Sequence, residues 1–196
     1  MWDERFSEPA YVYGKEPNEY LVSMAGRIPD GPVLSLAEGE GRNAVYLAGQ
    51  GHAIRAVDSS RVGLEKAMRL ALERGVRLET TCADLSDYAI EPGAWSGIVS
   101  IFCHLPAPLR SRVHAAAVTG LRKGGVLILE AYRPAQLEHG TGGPRSLDRL
   151  YDLESLRWDF RGLDLVHAVE TEREVLEGRY HTGLGAVVQV LGIKPG

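Results

Sequence analysis

The chain has 196 residues, of which 44% are hydrophobic and 24% charged, and its net charge at pH 7 is -4. This length and balance predict one soluble domain with a two-sided core. The mild acidity argues against a general binder of nucleic acid or of anionic membranes. No apolar run approaches the roughly 20 residues that cross a bilayer. The polar start is not a signal peptide, so we expect a cytoplasmic protein.

The two cysteines do not form a recognisable metal or disulfide motif. Cys82 and Cys103 are far apart in the chain, and no C-x-x-C pair is present. A zinc site or a disulfide framework is therefore not expected. We predict that both cysteines are small buried core residues and that the protein has no metal site.

The first twenty residues are rich in aromatic side chains but show no clear period. Tyr11 and Tyr13 stand among Pro9, Gly14 and Pro17, which predicts an irregular segment. Two interpretations stay open: the aromatic side chains pack on the edge of a sheet, or they form a lid over a ligand. A short helix over residues 18–28 is predicted to follow.

A glycine-rich turn joins the first predicted strand, residues 33–37, to a helix that begins directly after it. Gly39 and Gly41 lack a Cβ, so the backbone can turn sharply and a ligand can approach it closely. The first unpaired N–H groups of the helix, near Arg42 and Asn43, form a positive end that suits an anionic group.

The second predicted strand ends on an acid, Asp58. A carboxylate at this place can accept hydrogen bonds from both hydroxyls of a ribose, so the turn and the acid together predict a pocket for an adenosine-containing cofactor. A helix over residues 62–74 and a third strand over 76–82 follow. Asp84, just beyond, can either accept a hydrogen bond from an adenine amino group or cap the next turn.

The second half of the chain continues the alternation of strands and helices. A fourth strand over 97–102 leads to His104, which can take a proton near pH 7 or serve only as a hydrogen-bonded loop residue. The later elements are predicted as a helix over 109–121, a strand over 126–131, a loop over 134–147, a helix over 147–160, and strands over 163–176 and 180–193.

The turn between the last two strands is so short that they must be antiparallel. We therefore predict an α/β fold: a Rossmann-like seven-stranded mixed sheet, mostly parallel, with a C-terminal antiparallel hairpin and helices on both faces. The whole chain, 1–196, is expected to form one domain. Residues 1–32 would be an N-terminal lid and helix segment, 33–132 the cofactor-binding half, and 133–196 the substrate-side loop, helix and hairpin.

Five features in this order resemble class I S-adenosylmethionine-dependent methyltransferases. They are the glycine turn, Asp58, Ala83-Asp84 after the third strand, Lys123-Gly124-Gly125 before the fifth, and the closing hairpin. The run from Gly39 to Ala48, Gly-Glu-Gly-Arg-Asn-Ala-Val-Tyr-Leu-Ala, looks like the bacterial tellurite-resistance and thiopurine methyltransferase-like branch. The similarity spans roughly residues 10–193.

The resemblance implies that S-adenosyl-L-methionine is the cofactor. By it, Gly39 and Gly41 would pass close to the methionine part, Asp58 would hold the ribose, and Asp84 would approach the adenine. The full cofactor-side set is Ala37, Glu38, Gly39, Gly41, Asn43, Asp58, Ser59, Ala83, Asp84, Leu85 and Phe102.

The first motif departs from the family pattern Asp-x-Gly-Cys-Gly. This chain has Ser35, Ala37 and Glu38 there, so it loses an acid and a glycine. Either Glu38 supplies the missing charge or the cofactor binds more weakly. Ser96 also stands where an aspartate often opens the fourth strand.

Methyl transfer to a soft acceptor, such as a thiolate or an oxyanion of tellurium or selenium, needs alignment rather than a strong base. We predict His104 and Arg133 as catalytic residues, because Arg133 can bind an anionic acceptor through two parallel hydrogen bonds. The substrate-side residues are predicted to be Tyr11, Tyr13, Glu130, Tyr132 and His181.

Two other functions fit parts of the pattern. Gly39-x-Gly41-x-x-Ala44 followed by Asp58 also matches a dinucleotide fingerprint, which would make the chain an NAD(P)-dependent oxidoreductase. The absence of a further substrate domain and of a Tyr-x-x-x-Lys pair argues against it. The altered first motif leaves open a non-catalytic S-adenosylmethionine-binding protein. The expected partner is a small-molecule acceptor, and the chain is expected to be a monomer or homodimer.

Overall fold

The computed structural model describes residues 2–196. One seven-stranded sheet has the order β3-β2-β1-β4-β5-β7-β6. The strands are β1 Pro32–Leu36, β2 Ala53–Asp58, β3 Glu79–Cys82, β4 Trp95–Ile101, β5 Leu121–Tyr132, β6 Asp164–Glu177 and β7 His181–Ile193. The first five strands pair in parallel, whereas β7 is antiparallel to both β5 and β6. The predicted mixed, Rossmann-like sheet is confirmed.

Six α-helices are described, and three short 3-10 turns occur between elements. The helices are α1 Trp2–Phe6, α2 Glu19–Met24, α3 Arg42–Gly49, α4 Arg61–Glu73, α5 Ala107–Gly120 and α6 Leu153–Asp159; the 3-10 turns are Ala25–Arg27, Pro134–Glu138 and Leu147–Arg149. Polar side chains cap the N-termini of three helices. Asn18, Ser60 and Asp152 each accept a hydrogen bond from a backbone N–H of the helix that follows. Within residues 2–196, no helix combines the length and the apolar character that a membrane span requires.

Hydrophobic side chains fill both faces of the sheet. Adjacent residues of β1 belong to different core clusters: Leu34 packs with α5 and α6, and Val33 packs with α3 and α4. This alternation follows from the pleat of a strand, which points successive side chains to opposite faces. The helices therefore cover both faces, as predicted.

Some boundaries differ from the predicted ones. The third strand begins at Glu79 rather than at residue 76, because the N–H of Val76 bonds to Ala71 and completes the end of α4. The last helix begins at Leu153, after a separate 3-10 turn and the Asp152 cap. Cys82 is exposed, contrary to expectation, because β3 is an edge strand; Cys103 is buried as predicted.

The strand order places the ligand crevice. After β3 the chain returns to the other side of β1, so β2 and β4 flank β1 on opposite sides. In open sheets of this kind, ligands bind outside the carboxyl ends of the strands where the order reverses. The carboxyl ends of β1 and β4 therefore define the edge at which the functional residues must lie.

Candidate active site

Two strained residues border this crevice. Ala37 follows β1 and Phe102 follows β4, and both have a φ of 51°, in the left-handed region that side chains with a Cβ disfavour. Such conformations cost on the order of 1–3 kcal/mol and cluster at functional sites. The strained backbone therefore indicates a functional site at the carboxyl ends of β1 and β4.

The glycine turn and the acid of β2 are joined directly. The N–H of Gly39 donates to Asp58 Oδ2 at 2.9 Å, and the N–H of Ser60 donates to Oδ1 at 2.7 Å. Asp58 is only 7% exposed, and this burial raises the pKa of its carboxyl. Gly41 has a different role, because a Cβ there would lie 2.6 Å from the Cα of Ala67. Gly41 therefore allows α3 to pack closely against α4.

Glu38 closes the N-terminus of α3 from within the protein. Its Oε1 accepts the N–H groups of Asn43 at 3.1 Å and Ala44 at 3.0 Å, and the hydroxyl of Ser35 donates to Oε2. Burial raises the pKa of this carboxyl. The departures at positions 35 and 38 thus form one hydrogen-bonded pair. The anionic group that the sequence predicts at this helix end is the chain's own glutamate.

An N-terminal segment, residues 2–17, lies across the glycine turn; we call it the strap. The ring of Phe6 is 3.2 Å from the position of a Cβ built on Gly39. Glu40, inside the turn, accepts the N–H of Val12 at 2.7 Å. Lys66 of α4 forms a buried ion pair with Glu40 and donates to the carbonyl of Ala10 at 2.7 Å. The strap therefore covers the turn, as a lid would.

Aromatic rings meet at the carboxyl ends of β4 and β5. The ring of Phe102 lies 4.5 Å from that of Tyr132 and 4.8 Å from that of His181, between ring centroids. Tyr13 of the strap lies 4.7 Å from His181. The structure thus brings together three predicted substrate-side residues and Phe102. Tyr11 is not among them, because its hydroxyl bonds to the carbonyl of Lys66.

A buried ion cluster supports these rings. Glu130, which is fully buried, accepts four hydrogen bonds, from two nitrogens of Arg173, from Asn18 and from Gln189. Its oxygens are therefore saturated, and it lies beneath the site instead of facing a substrate. Glu177 accepts from Asn18 and Arg173 and pairs with Arg42 through its other oxygen.

The two predicted catalytic residues are both engaged with the protein. His104 Nδ1 lies 2.8 Å from the carbonyl of Arg149, and Nε2 lies 3.4 Å from the N–H of Tyr132. The side chain keeps some exposed surface, yet desolvation by its neighbours lowers its pKa to about 4, so the ring is neutral at pH 7. Arg133 points toward acids of β6, with its nitrogens 4.0 Å from Glu170 and 3.8 Å from Glu172.

The predicted adenine side is more open. Asp84 is exposed and accepts the N–H of Ser86 at 2.7 Å, which lowers the pKa of its carboxyl and caps a turn. The N–H of Ala83 donates to the carbonyl of Asp58 at 2.9 Å. Ser59 is exposed beside them, and Leu85 packs into the core. Ser59 and Ala83 thus lie beside Asp58, and an adenine at this side stays a prediction.

Several residues of the site were not found from the sequence. Glu40 and Lys66 hold the strap, whereas Arg42, Arg173 and Glu177 form the ion cluster. Glu40 and Arg42 had a local signal, their places inside the glycine turn and directly after it. Over residues 2–196, no group of three or more His, Cys, Asp or Glu side chains is arranged to hold a metal ion.

Comparison with known proteins gives one family match and several similar structures. Residues 33–125 match a family model described as a methyltransferase domain. A comparison with curated proteins gives no match. A protein that converts a disulfide bond into a thioacetal group during echinomycin biosynthesis has a similar structure, with a TM-score of 0.78 and 18% identity; the match covers 98% of this chain and 88% of that one.

Two further solved structures have the same fold. TehB from Haemophilus influenzae matches with a TM-score of 0.75 and 16% identity, over 98% of this chain and 65% of TehB. An S-adenosylmethionine-dependent methyltransferase from Clostridium acetobutylicum ATCC 824 matches with a TM-score of 0.71 and 15% identity, over 100% of this chain and 96% of that one. At these identities the likeness concerns the fold.

Proposed function

We propose that the chain is a methyltransferase that takes its methyl group from S-adenosyl-L-methionine and transfers it to a small molecule; the match of residues 33–125 to a methyltransferase domain and the class I fold support this. The acceptor carries a soft nucleophile, such as a thiol or a chalcogen oxyanion. The observation that carries the proposal is the hydrogen bond of 2.9 Å from the N–H of Gly39 to Asp58 Oδ2. It lies beside the strained residues Ala37 and Phe102. The residues proposed for the methyl donor and those proposed for the methyl acceptor thus lie at the same edge of the sheet.

The residues at this edge fit the proposed donor. Each oxygen of Asp58 accepts one backbone N–H and keeps a lone pair that can accept a ribose hydroxyl. Ser59, Ala83 and Asp84 border the adenine side, and the backbone from Ala37 to Gly39 borders the methionine side. When bound, the cofactor supplies an electrophilic methyl group on a sulfonium.

The chain's own contribution is positioning and the exclusion of water. A soft nucleophile needs to be held in line with the methyl group, and this alignment alone lowers the barrier substantially. The strap serves as the lid, since Phe6 covers Gly39 and Tyr13 covers His181. Phe6 would move aside to open the glycine turn, and the strap would then return to exclude water from the site.

Calorimetry tests the donor half of the proposal. The protein is titrated with S-adenosylmethionine, S-adenosylhomocysteine and NAD, and we expect the first two to bind. The variant D58A should lower the affinity for both compounds by about tenfold. This is the effect of removing one pair of hydrogen bonds to a bound ligand. D84A is the matched control and should have a smaller effect, because Asp84 is exposed. Binding of NAD alone would reject the proposal.

The second candidate function is a protein that binds S-adenosylmethionine without catalysis. One observation favours it: Phe6 lies on the glycine turn, and Glu38 and Ser35 close the helix end, so the chain's own groups occupy positions around the donor site. A methyl-release assay over thiols, tellurite, selenite, small phenols and small acids distinguishes the two. Cofactor binding with no methyl release to any acceptor supports the non-catalytic function.

A further inference from the structure

Three residues on the acceptor side that are more than nine-tenths buried each hold a polar atom without a hydrogen-bond partner. They are Arg42 (Nη1), Tyr132 (Oη) and His181 (Nδ1), which are 8%, 0% and 7% exposed; Nε of Arg133, whose side chain is 23% exposed, also has no partner. A buried polar atom left unpaired costs roughly 1–3 kcal/mol. Native proteins rarely retain such atoms without a reason, and a ligand is one such reason.

The three residues share one corner of the site, which we call the acceptor corner. The rings of Tyr132 and His181 lie 5.2 Å apart at an angle of 89°. A Cβ built on Gly142 would lie 3.3 Å from Tyr132 Oη and 3.0 Å from His181 Cδ2, so a bare backbone borders both rings. Arg42 reaches this corner through Glu177, the residue that pairs with His181 across the β6–β7 hairpin.

The guanidinium of Arg42 is held at one end only. Nη2 of Arg42 donates to Oε2 of Glu177. Arg173 and Asn18 donate to Oε1 of the same carboxylate. Nη1 is thereby positioned and desolvated while it remains free to donate. An arginine in this state binds carboxylates and oxyanions well, because its donors are rigid and weakly hydrated.

The charges around the corner are balanced, with Arg42 and Arg173 against Glu130 and Glu177. Desolvation and then the positive charges of Arg42 and Arg173 lower the pKa of His181 well below its usual value, so this ring adds no charge at pH 7. Glu130 and Glu177 face Tyr132, but Arg173 binds both.

We propose that Arg42, Tyr132 and His181 bind the methyl acceptor, and that the acceptor carries a carboxylate or another oxyanion, which Arg42 Nη1 and the hydroxyl of Tyr132 bind. The inference rests on the proposed methyl transfer and names its substrate class. It assigns to Arg42 the role that the sequence suggests for Arg133. Arg133 is less suited, because its side chain is 23% exposed and is therefore better hydrated than that of Arg42, which is 9% exposed.

The first experiment varies only the charge of the acceptor. Protein saturated with S-adenosylhomocysteine is titrated with three small thiols: 3-mercaptopropionate, 2-mercaptoethanol and cysteamine. We expect the anionic thiol to bind about tenfold more tightly than the neutral one, the effect of one charge-assisted contact, and the cationic thiol to bind least. R42K retains a charge for Glu177 but loses the second donor, and should abolish most of the preference.

Two matched variants complete this experiment. R133K tests the competing arginine, and R179K tests an exposed arginine in the turn between β6 and β7; both should keep the preference for the anion. If R133K loses the preference while R42K keeps it, the assignment is wrong. If the wild type binds the three thiols alike, or binds none of them, the acceptor assignment fails while the donor site stands. If S-adenosylhomocysteine does not bind, the proposed function itself fails.

Y132F separates a ligand-binding hydroxyl from a structural one. The substitution removes only the oxygen that has no partner in the protein, so the melting temperature should stay the same or rise. The affinity for 3-mercaptopropionate should fall about threefold to tenfold, the loss of one hydrogen bond. A lower melting temperature with unchanged affinity would show that the hydroxyl serves the fold and would overturn its role here.

Discussion

The proposed donor side and the proposed acceptor side of this site differ in how their polar groups are bonded. On the donor side, Glu38 and Asp58 use their oxygens on backbone N–H groups close by in the fold. On the acceptor side, Arg42, Tyr132 and His181 keep buried atoms unpaired. The hydrogen bonds of the donor side thus fix its backbone conformation, whereas the acceptor side keeps unpaired groups that can bond to another molecule.

The strap is the segment that both sides share. Phe6 lies on the glycine turn of the donor side, and Tyr13 lies on His181 of the acceptor side. Its main anchor is the buried pair of Glu40 and Lys66, whose side chains are 3% and 2% exposed. Tests of this anchor therefore show whether the two sides open together.

The largest effect is expected for K66M. Removing one partner of a buried ion pair leaves the other charge uncompensated, which costs about 3–5 kcal/mol. Three carbonyls of the strap also lose their donor. Denaturant unfolding measures the loss, and limited proteolysis should show cleavage within residues 2–17. The double variant E40Q/K66M should recover part of the stability; a further loss instead would contradict an ion-pair anchor.

The next effect distinguishes the two glycines of the turn. G41A should cost roughly 2–4 kcal/mol, because its φ is 95° and the new Cβ would meet the backbone of Ala67. G39A should cost about 1 kcal/mol, since its neighbour is the ring of Phe6, which can move. In the F6A background the cost of G39A should shrink while that of G41A should not. Thermal unfolding of G39A and G41A, each in the wild type and in the F6A background, measures these costs. If G39A costs the same in both backgrounds, Phe6 does not restrict the turn.

The sequence was sufficient to locate the glycine turn and the acid of the proposed donor side, because their signals are local. Gly39, Gly41 and Asp58 stand in short motifs at strand ends, and the alternation of elements orders those strands. The role of Glu38 was less accessible. Its residue type indicated a charge near the cofactor, but only the structure shows that the carboxylate caps α3.

The acceptor side could not be predicted in the same way. Arg42 contacts Glu177 across 135 positions of the chain, and that contact depends on the register of the β6–β7 hairpin. Helix α1 was missed because five residues are too few to show a period; Asp3 holds it by accepting from Ser60 and Val62. Such long-range contacts leave no pattern in the local sequence.

A pH effect of moderate size is expected from His104. Its pKa in the folded protein is about 4, below the ordinary value of 6.5, because burial disfavours the charged ring. The unfolded chain therefore takes up a proton first as the pH falls. The stability that neutral His104 contributes is complete above pH 6.5, is lost between pH 6.5 and 4, and amounts to about 3 kcal/mol.

H104N tests this contribution. Asparagine retains a donor for the carbonyl of Arg149 and cannot take up a proton in this range. Its stability should fall less steeply than that of the wild type between pH 6.5 and 4, as measured by urea unfolding at a series of pH values. His114 and His181 also have lowered pKa values, so some slope should remain. Parallel curves for the two proteins would show that His104 is not held neutral by the fold.

The smallest effect is expected for K15M, and it tests what makes an anchor strong. Lys15 also ties the strap to α4, through Glu73 at 2.6 Å, but these side chains are 39% and 52% exposed. Water and salt screen such a pair, so its loss should cost no more than about 0.5 kcal/mol and should nearly vanish in high salt. K15M should leave the strap resistant to the protease that cleaves K66M. If K15M releases the strap as fully as K66M does, burial of the pair is not what holds it.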